Sequence, residues 1–464
     1  MTDARLANLP AIPCLACHSI RREGEPVLAD RQVGGGVEAQ VFAVGGQRSE
    51  NMGVYDKEHK MHSRRDFVES VAAGVAGTLM APARVLGAND RIRIGVIGLG
   101  DRGKQDTRAA ISCPDTEVVG VADVYTRRLE EAKQLAPNAK TYLDYRRLLE
   151  DKSIDAVLIA SPQHLHCEHF VATLGAGKHV YQEKTMAFTV EHAKRMRAAY
   201  QRAGKRTVQI GHQGCSMGQI MDGFTFMKTG YVGKITAIHS HMFRAAVHDK
   251  PQWTRPILPD MTMENIMWKS FEGEAAPHEF DPNRYINWRF FWDYSGGNFY
   301  ENMCHQLANW YRILNLQIPT AVTTVGGIYL WKDTREVPDT MSVAMQHPED
   351  LLFTWDSGFG NGNLGITEHV LGQDGTIING SEMGAPIRYI PEKVNRPDGV
   401  EVQGQTKSDR NAHMQNFLDC IRSGNEPNAP FDLGFRVSIA SRMSVDSYRL
   451  GRTVRWDPKK EETL

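Results

Sequence analysis

From Arg91 the chain reads R-I-R-I-G-V-I-G-L-G-D-R-G, a short β-branched run that ends in Gly98-x-Gly100-x-x-Gly103 and leads into a helical pattern. The β-branched run predicts a strand. In that setting the three glycines serve, in turn, a tight turn, close approach of the backbone to a pyrophosphate, and close packing of helix on strand. Alone, G-x-G-x-x-G is a weak signal, because glycine-rich turns are common. Here E-V-V-G-V-A-D ends a second strand at Asp123, about twenty residues on, where a carboxylate would accept from the ribose 2′-OH of NAD. Gly98, Leu99, Gly100, Asp101, Arg102 and Gly103 are therefore the expected pyrophosphate loop, and Asp123 the expected ribose reader. Arg127 and Arg128 could tolerate a 2′-phosphate, so NADP stays open, although Asp123 favours NAD.

The alternation continues downstream. Residues 155–160 (D-A-V-L-I-A), 179–182 and 207–210 predict strands, and 165–176 and 189–203 predict helices. Strands alternating with helices of that length argue for an α/β fold with a parallel, doubly wound sheet and its ligand at the carboxyl ends of the strands. No repeat of solenoid period is present. Lysine plus arginine number 54 against 55 acids, so no overall field draws the chain toward nucleic acid or anionic lipid.

Residues 63–68 read S-R-R-D-F-V, followed from Val71 by V-A-A-G-V-A-G-T-L-M and then Ala81-Pro82-Ala83, the pattern of a twin-arginine export signal. The apolar run is too short and too rich in glycine and alanine to span a bilayer. A periplasmic protein carried by the twin-arginine translocation machinery is expected, with an uncleaved signal as a weak anchor the alternative. Residues 1–60 show no periodicity and read as a disordered extension ahead of Met61, the expected working start. Within them Cys14-Leu15-Ala16-Cys17-His18 has the spacing of covalent haem attachment. No signal precedes it and no axial methionine in a small helical domain follows, so it reads as chance. Five of the seven cysteines lie after the signal, unpatterned, and imply no disulfide framework. That suits a pathway that exports folded proteins: a dinucleotide enzyme must load its cofactor in the cytoplasm and then hold it tightly.

S-P-Q-H-L-H-C-E-H (161–169) and G-A-G-K-H-V-Y-Q-E-K-T (175–185) resemble the glucose-fructose oxidoreductase / inositol dehydrogenase (Gfo/Idh/MocA) family, which carries a T-P-x-x-x-H loop and an E-K-P motif. The resemblance resumes at N-W-R-F-F-W-D-Y-S-G-G (287–297), N-F-L-D-C-I-R-S-G (416–424) and Y-R-L-G-R (448–452). It implies a Rossmann domain, placed at 89–212, and a substrate domain at 213–464 whose large, open, mostly antiparallel sheet also serves as a homo-oligomer interface. It further implies that Ser161, His164, His166, Glu183 and Lys184 line the nicotinamide. His164, His166 and His169 run from a loop into a helix without a carboxylate or thiolate to complete a metal set, and the family uses no metal, so none is expected.

Lys184 is the expected partner of a developing alkoxide, its ammonium lowering the barrier. S-G-G-N-F-Y-E-N-M-C-H-Q-L-A-N (295–309) follows the family pattern G-G-x-x-x-D-x-G-x-H-x-x-D, with Glu301 at the Asp position, Met303 at the glycine and Ala308 at the last Asp. In that register Glu301 and His305 stand at i and i+4 on one helix face. His305 is then the general base near neutral pH and Glu301 its orienting partner. Trp288, Arg289, Trp292 and Tyr294 suit a sugar ring, with core packing the alternative. The favoured reading is an oxidoreductase that moves hydride from a sugar, cyclitol or glycoside hydroxyl to tightly bound NAD. A glycoside-cleaving enzyme that oxidises, eliminates and re-reduces is the second reading, and a non-catalytic sugar-binding protein the third.

Overall fold

The computed structural model describes residues 91–380, 385–409 and 411–464. The expected extension at 1–60, with Cys14 and Cys17, and the expected export signal at 61–88 lie outside the described residues. Six short runs pair in parallel: β1 (Ile92–Ile97), β2 (Thr116–Ala122), β3 (Lys140–Tyr142), β4 (Ala156–Ile159), β5 (His179–Gln182) and β6 (Val208–Ile210). Their order is β3-β2-β1-β4-β5-β6. The order of strand addition reverses between β1 and β4, which opens a crevice at their carboxyl ends. All four residues of β4 are buried, as expected of a parallel strand covered on both faces. The covering helices are α1 (Asp101–Ser112), α2 (Thr126–Leu135), α3 (Tyr145–Glu150), α4 (His166–Gly175) and α5 (Val190–Arg202). Each strand and helix foreseen from the pattern is present, with ends moved by a residue or two.

After α6 (Gly218–Lys228) comes β7 (Ile235–Phe243), and a π turn at Phe299–Met303 leads into α7 (Cys304–Leu314). Then follow β8 (Ala321–Gly327), β9 (Thr340–His347), β10 (Leu351–Gly358), β11 (Ile366–Gly372), β12 (Gly375–Gly380), β13 (Arg388–Pro391) and β14 (Val402–Gln403). Two helices, α8 (Ala412–Ser423) and α9 (Phe431–Leu450), precede β15 (Val454–Asp457) and β16 (Glu462–Thr463). The second sheet has ten strands in the order β14-β13-β12-β11-β7-β10-β9-β8-β15-β16, antiparallel except where β7 meets β10. Burial alternates along β9 and β10, so one face is covered and the other open.

The cut at residue 212 follows the last parallel strand, but the core crosses it. Met414, Phe417 and Leu418 of α8 pack in one cluster with Ile94, Val96 and Leu158 of the first sheet. Backbone follows: Ile210 donates to the Ala429 carbonyl at 2.9 Å, and Gln209 reaches the His413 carbonyl at 2.6 Å. The C-terminal helices thus complete the N-terminal sheet. The five described cysteines are buried and free. No described helix is long and apolar enough to cross a membrane.

Candidate active site

The loop after β1 has the geometry its glycines foretold. Gly98 sits at φ +88°, where a side chain would be strained, and a Cβ on Gly103 would stand 2.0 Å from the Gly98 carbonyl oxygen. Thr107 returns its hydroxyl to the Gly103 carbonyl at 2.7 Å. Asp123, at the end of β2, accepts from the Leu99 N–H at 2.7 Å and from the Tyr125 N–H at 3.0 Å. Its carboxylate therefore ties the loop to the strand and still has lone pairs for a ribose hydroxyl. Leu99 itself is fully buried and contributes only its backbone. Arg128 approaches Asp123 at 3.6 Å.

These groups wall a cleft of about 1030 Å³. Gly98, Gly100, Asp101, Arg102, Asp123 and Ser161 line it, and Trp288 and Arg289 face them from the second domain. A second cleft, of about 2230 Å³, lies over the ten-stranded sheet and takes in Arg102, Arg244, Asn302, His305, Glu368 and Asn379. Arg102 borders both.

Glu301 links the two clefts: it pairs with Arg289, which lines the first cleft, and precedes Asn302, which lines the second. Its carboxylate accepts from Lys184 Nζ at 2.9 Å and from Gln163 Nε2 at 2.7 Å, and it pairs with Arg289 Nε at 3.1 Å. Lys184 also reaches the Glu301 carbonyl at 3.0 Å. Burial alone would raise the Glu301 carboxyl, but the charges of Arg289 and Lys184 outweigh it and hold the group near 2. Glu301 stays ionised and fixes the Lys184 ammonium at the end of the E-K segment. Neighbouring Glu183 is buried and accepts from Arg102 Nε at 2.9 Å and Gln213 Nε2 at 2.7 Å, and Arg102 pairs with Asp106 at 2.8 Å. Glu183 thus acts on the site through Arg102.

His305 does not pair with Glu301. The expected one-turn register assumes a regular helix, whereas Glu301 lies in a π turn, whose i→i+5 spacing carries the fourth residue off the shared face. The His305 ring instead meets His212 edge-on, centroids 5.8 Å apart, in the second cleft. Its pKa is pushed well below the ordinary value by burial and by the charges of Lys184, Arg102 and Arg244, so the imidazole is neutral at physiological pH.

Four other expectations need correction. His164 and His166 do not line the dinucleotide cleft. His164 is buried against the Phe271 carbonyl at 2.7 Å, and burial lowers its pKa to about 4. His166 stands between the carbonyls of Thr185 and Ser161, bracing the E-K segment from behind. Tyr294 is fully buried among Phe271, His164 and Phe291, so it is core and not sugar platform. Trp292 packs on Tyr448 beneath Arg449, on α9 and away from both clefts. Among the described residues no group of His, Cys, Asp or Glu could hold a metal.

Sequence reasoning passed over Gln163, Arg244, His212 and Glu368. Gln163 stood inside a motif read for its histidines. Glu368 and Arg244 belong to strands or strand ends of the second sheet, whose single sequences carry no motif.

Comparison with known proteins agrees with this layout. Residues 92–212 match the family described as oxidoreductase family, NAD-binding Rossmann fold (Gfo/Idh/MocA). Inositol 2-dehydrogenase of Salmonella typhimurium is 32% identical over 171 residues, 36% of this chain and 49% of its own. A 1-carboxy-3-chloro-3,4-dihydroxycyclohexa-1,5-diene dehydrogenase of Comamonas testosteroni is 32% identical over 149 residues, 32% of this chain and 37% of its own. The chain thus spans about half, or less, of the length of these curated relatives. Levoglucosan dehydrogenase in complex with NADH and levoglucosan shares the fold at TM-score 0.61 and 17% identity, covering 79% of this chain and 99% of that one.

The first domain is thus an NAD-binding Rossmann fold, and over residues 92–212 it is similar to an oxidoreductase family. Its residues fit the dinucleotide: the Gly98 and Gly103 positions exclude any Cβ, and Asp123 is oriented by two backbone amides.

Proposed function

We propose that this chain is an NAD-dependent oxidoreductase that acts on a secondary hydroxyl of a sugar, cyclitol or related polyol. The observation that carries the reading is the Lys184–Glu301 pair at 2.9 Å, tied through Arg289 to the dinucleotide cleft and next in sequence to Asn302 of the cleft of His305. Bound NAD supplies the hydride acceptor. Lys184, held by Glu301 and by the Glu301 carbonyl, presents a fixed positive charge to the oxygen that becomes alkoxide-like. A ring nitrogen of neutral His305 accepts the hydroxyl proton. Trp288, stacked under the Arg289 guanidinium at 4.2 Å, forms the far wall of the first cleft.

The test is native mass spectrometry of the purified protein followed by absorbance of reduced nicotinamide on a panel of polyols that includes myo-inositol. Co-purified NAD, and reduction that stops when Lys184→Met is introduced, are expected. A protein that binds NAD yet reduces it with no polyol would leave a binding function in its place.

We propose further that the chain is exported through the twin-arginine pathway and that copies associate through the open sheet face. The S-R-R-D-F-V segment supports the first, and the exposed Leu352 and Val325 on that sheet support the second. N-terminal sequencing of the periplasmic fraction and sedimentation of the purified protein test them. A mature chain that retains Cys14, or a monomer at micromolar concentration, would reverse the respective reading.

A further inference from the structure

Arg244 follows β7 at the edge of the second cleft, on the sheet side. Its guanidinium is half-buried, and among the described residues it makes no ion pair: its side-chain contact is the Met242 thioether at 3.4 Å. An arginine withdrawn from water without a carboxylate gives up hydration and gains little, and nothing but burial acts on its pKa, which falls.

The acids that share the cleft are committed elsewhere. Asp106 is paired with Arg102, Glu368 accepts from Asn379, and Asp409 accepts from the Asn411 N–H. Burial also pushes the Glu368 carboxyl up to about 7, so it carries only part of a charge at neutral pH. The sheet wall therefore offers an unneutralised cation, with His305 on the facing helix α7.

We propose that the second cleft takes a polyhydroxylated substrate bearing a carboxylate, and that the Arg244 guanidinium receives that carboxylate while its hydroxyls face Glu368 and His305. A planar guanidinium matches a carboxylate through two parallel N–H···O bonds, which a neutral polyol cannot return. The inference rests on the oxidoreductase reading for the identity of the cleft, but the anion site can be tested without turnover.

Calorimetry on the NAD-loaded protein should compare D-gluconate and D-glucuronate with D-glucose, myo-inositol and D-glucose 6-phosphate. The carboxylates should bind more tightly than the neutral compounds and the phosphate ester. Arg244→Gln should weaken carboxylate binding ~10- to 100-fold, the usual effect of losing a charge-assisted hydrogen bond, and leave NAD content unchanged. Arg244→Lys should recover part of the loss. Equal binding of glucose and glucuronate, no binding of any carboxylate, preference for the phosphate ester, or an unaltered Arg244→Gln variant would each overturn the assignment. Reduction of NAD is read in parallel: carboxylate binding without reduction would retire the oxidoreductase reading and keep the anion site.

Discussion

Both oxygens of Asp123 serve backbone amides, Leu99 and Tyr125, while Arg128 waits 3.6 Å away. Asp123→Ala should therefore do two things. It should weaken NAD binding, by losing the ribose acceptor and by loosening the loop, and it should raise NADP binding relative to NAD, because Arg128 loses its carboxylate neighbour. Fluorescence titration with both reduced cofactors reads the ratio, and an unaltered ratio would show that Asp123 does not select. His305 gives a pH prediction. The base must be neutral to accept a proton, and its pKa is driven well below 6.5 by burial and nearby cations. Turnover should then stay level as pH falls through 6.5, and His305→Ala should cost roughly two to four powers of ten at every pH in that range. A limb centred near 6.5 that vanishes in the variant would restore the unperturbed histidine. The glycine loop and Asp123 were legible because their geometry is local, fixed by strand, turn and helix within thirty-odd residues of sequence. Trp292 was not, because what it packs on, Tyr448, comes from far along the chain.

At the level of elements, the π turn at Phe299–Met303 shows how one inserted backbone position reassigns a site. Periodicity offers no sign of it, so a pattern read as i and i+4 paired Glu301 with His305, when the wider turn gives Glu301 to Lys184 and Arg289. β11 carries a second consequence. Glu368 is 2% exposed, and its pKa is raised from 4.5 to about 7 by burial, against the hydrogen bond from Asn379. The folded state therefore binds the proton more tightly than the unfolded chain. Its contribution to stability is full below pH 4.5 and is lost as pH rises through about 7. The difference between those limits is about 3 kcal/mol. Glu368→Gln should flatten that slope, gaining stability relative to the parent at pH 8 but not at pH 4. Urea unfolding at the two values measures it, and a parent-like slope in the variant would place the titration elsewhere.

For the whole molecule, the sequence invites a cut after β6, and a family match that ends at residue 212 invites it again. The packing argues against an autonomous first domain. Phe417 and Leu418, with no exposed surface, and Met414, at 3%, fill the same cluster as Ile94, Val96 and Leu158. Gly434 of α9 comes so close to β6 that a Cβ there would stand 2.6 Å from Ile210. A fragment of residues 89–212 would expose this apolar face to water. Burying a large side chain contributes on the order of 2 kcal/mol. Losing three such groups removes about 6 kcal/mol, against a typical domain stability of roughly 5–15 kcal/mol. The fragment should therefore unfold with a broad, weakly cooperative transition, or aggregate, and should not retain NAD. The chain from residue 89 to its last residue should unfold in one step in which both sheets are lost together. Far-ultraviolet circular dichroism and bound-nucleotide fluorescence in urea follow the two events. A 89–212 fragment that unfolds sharply and holds NAD like the longer chain would show that α8 and α9 merely rest on a finished domain.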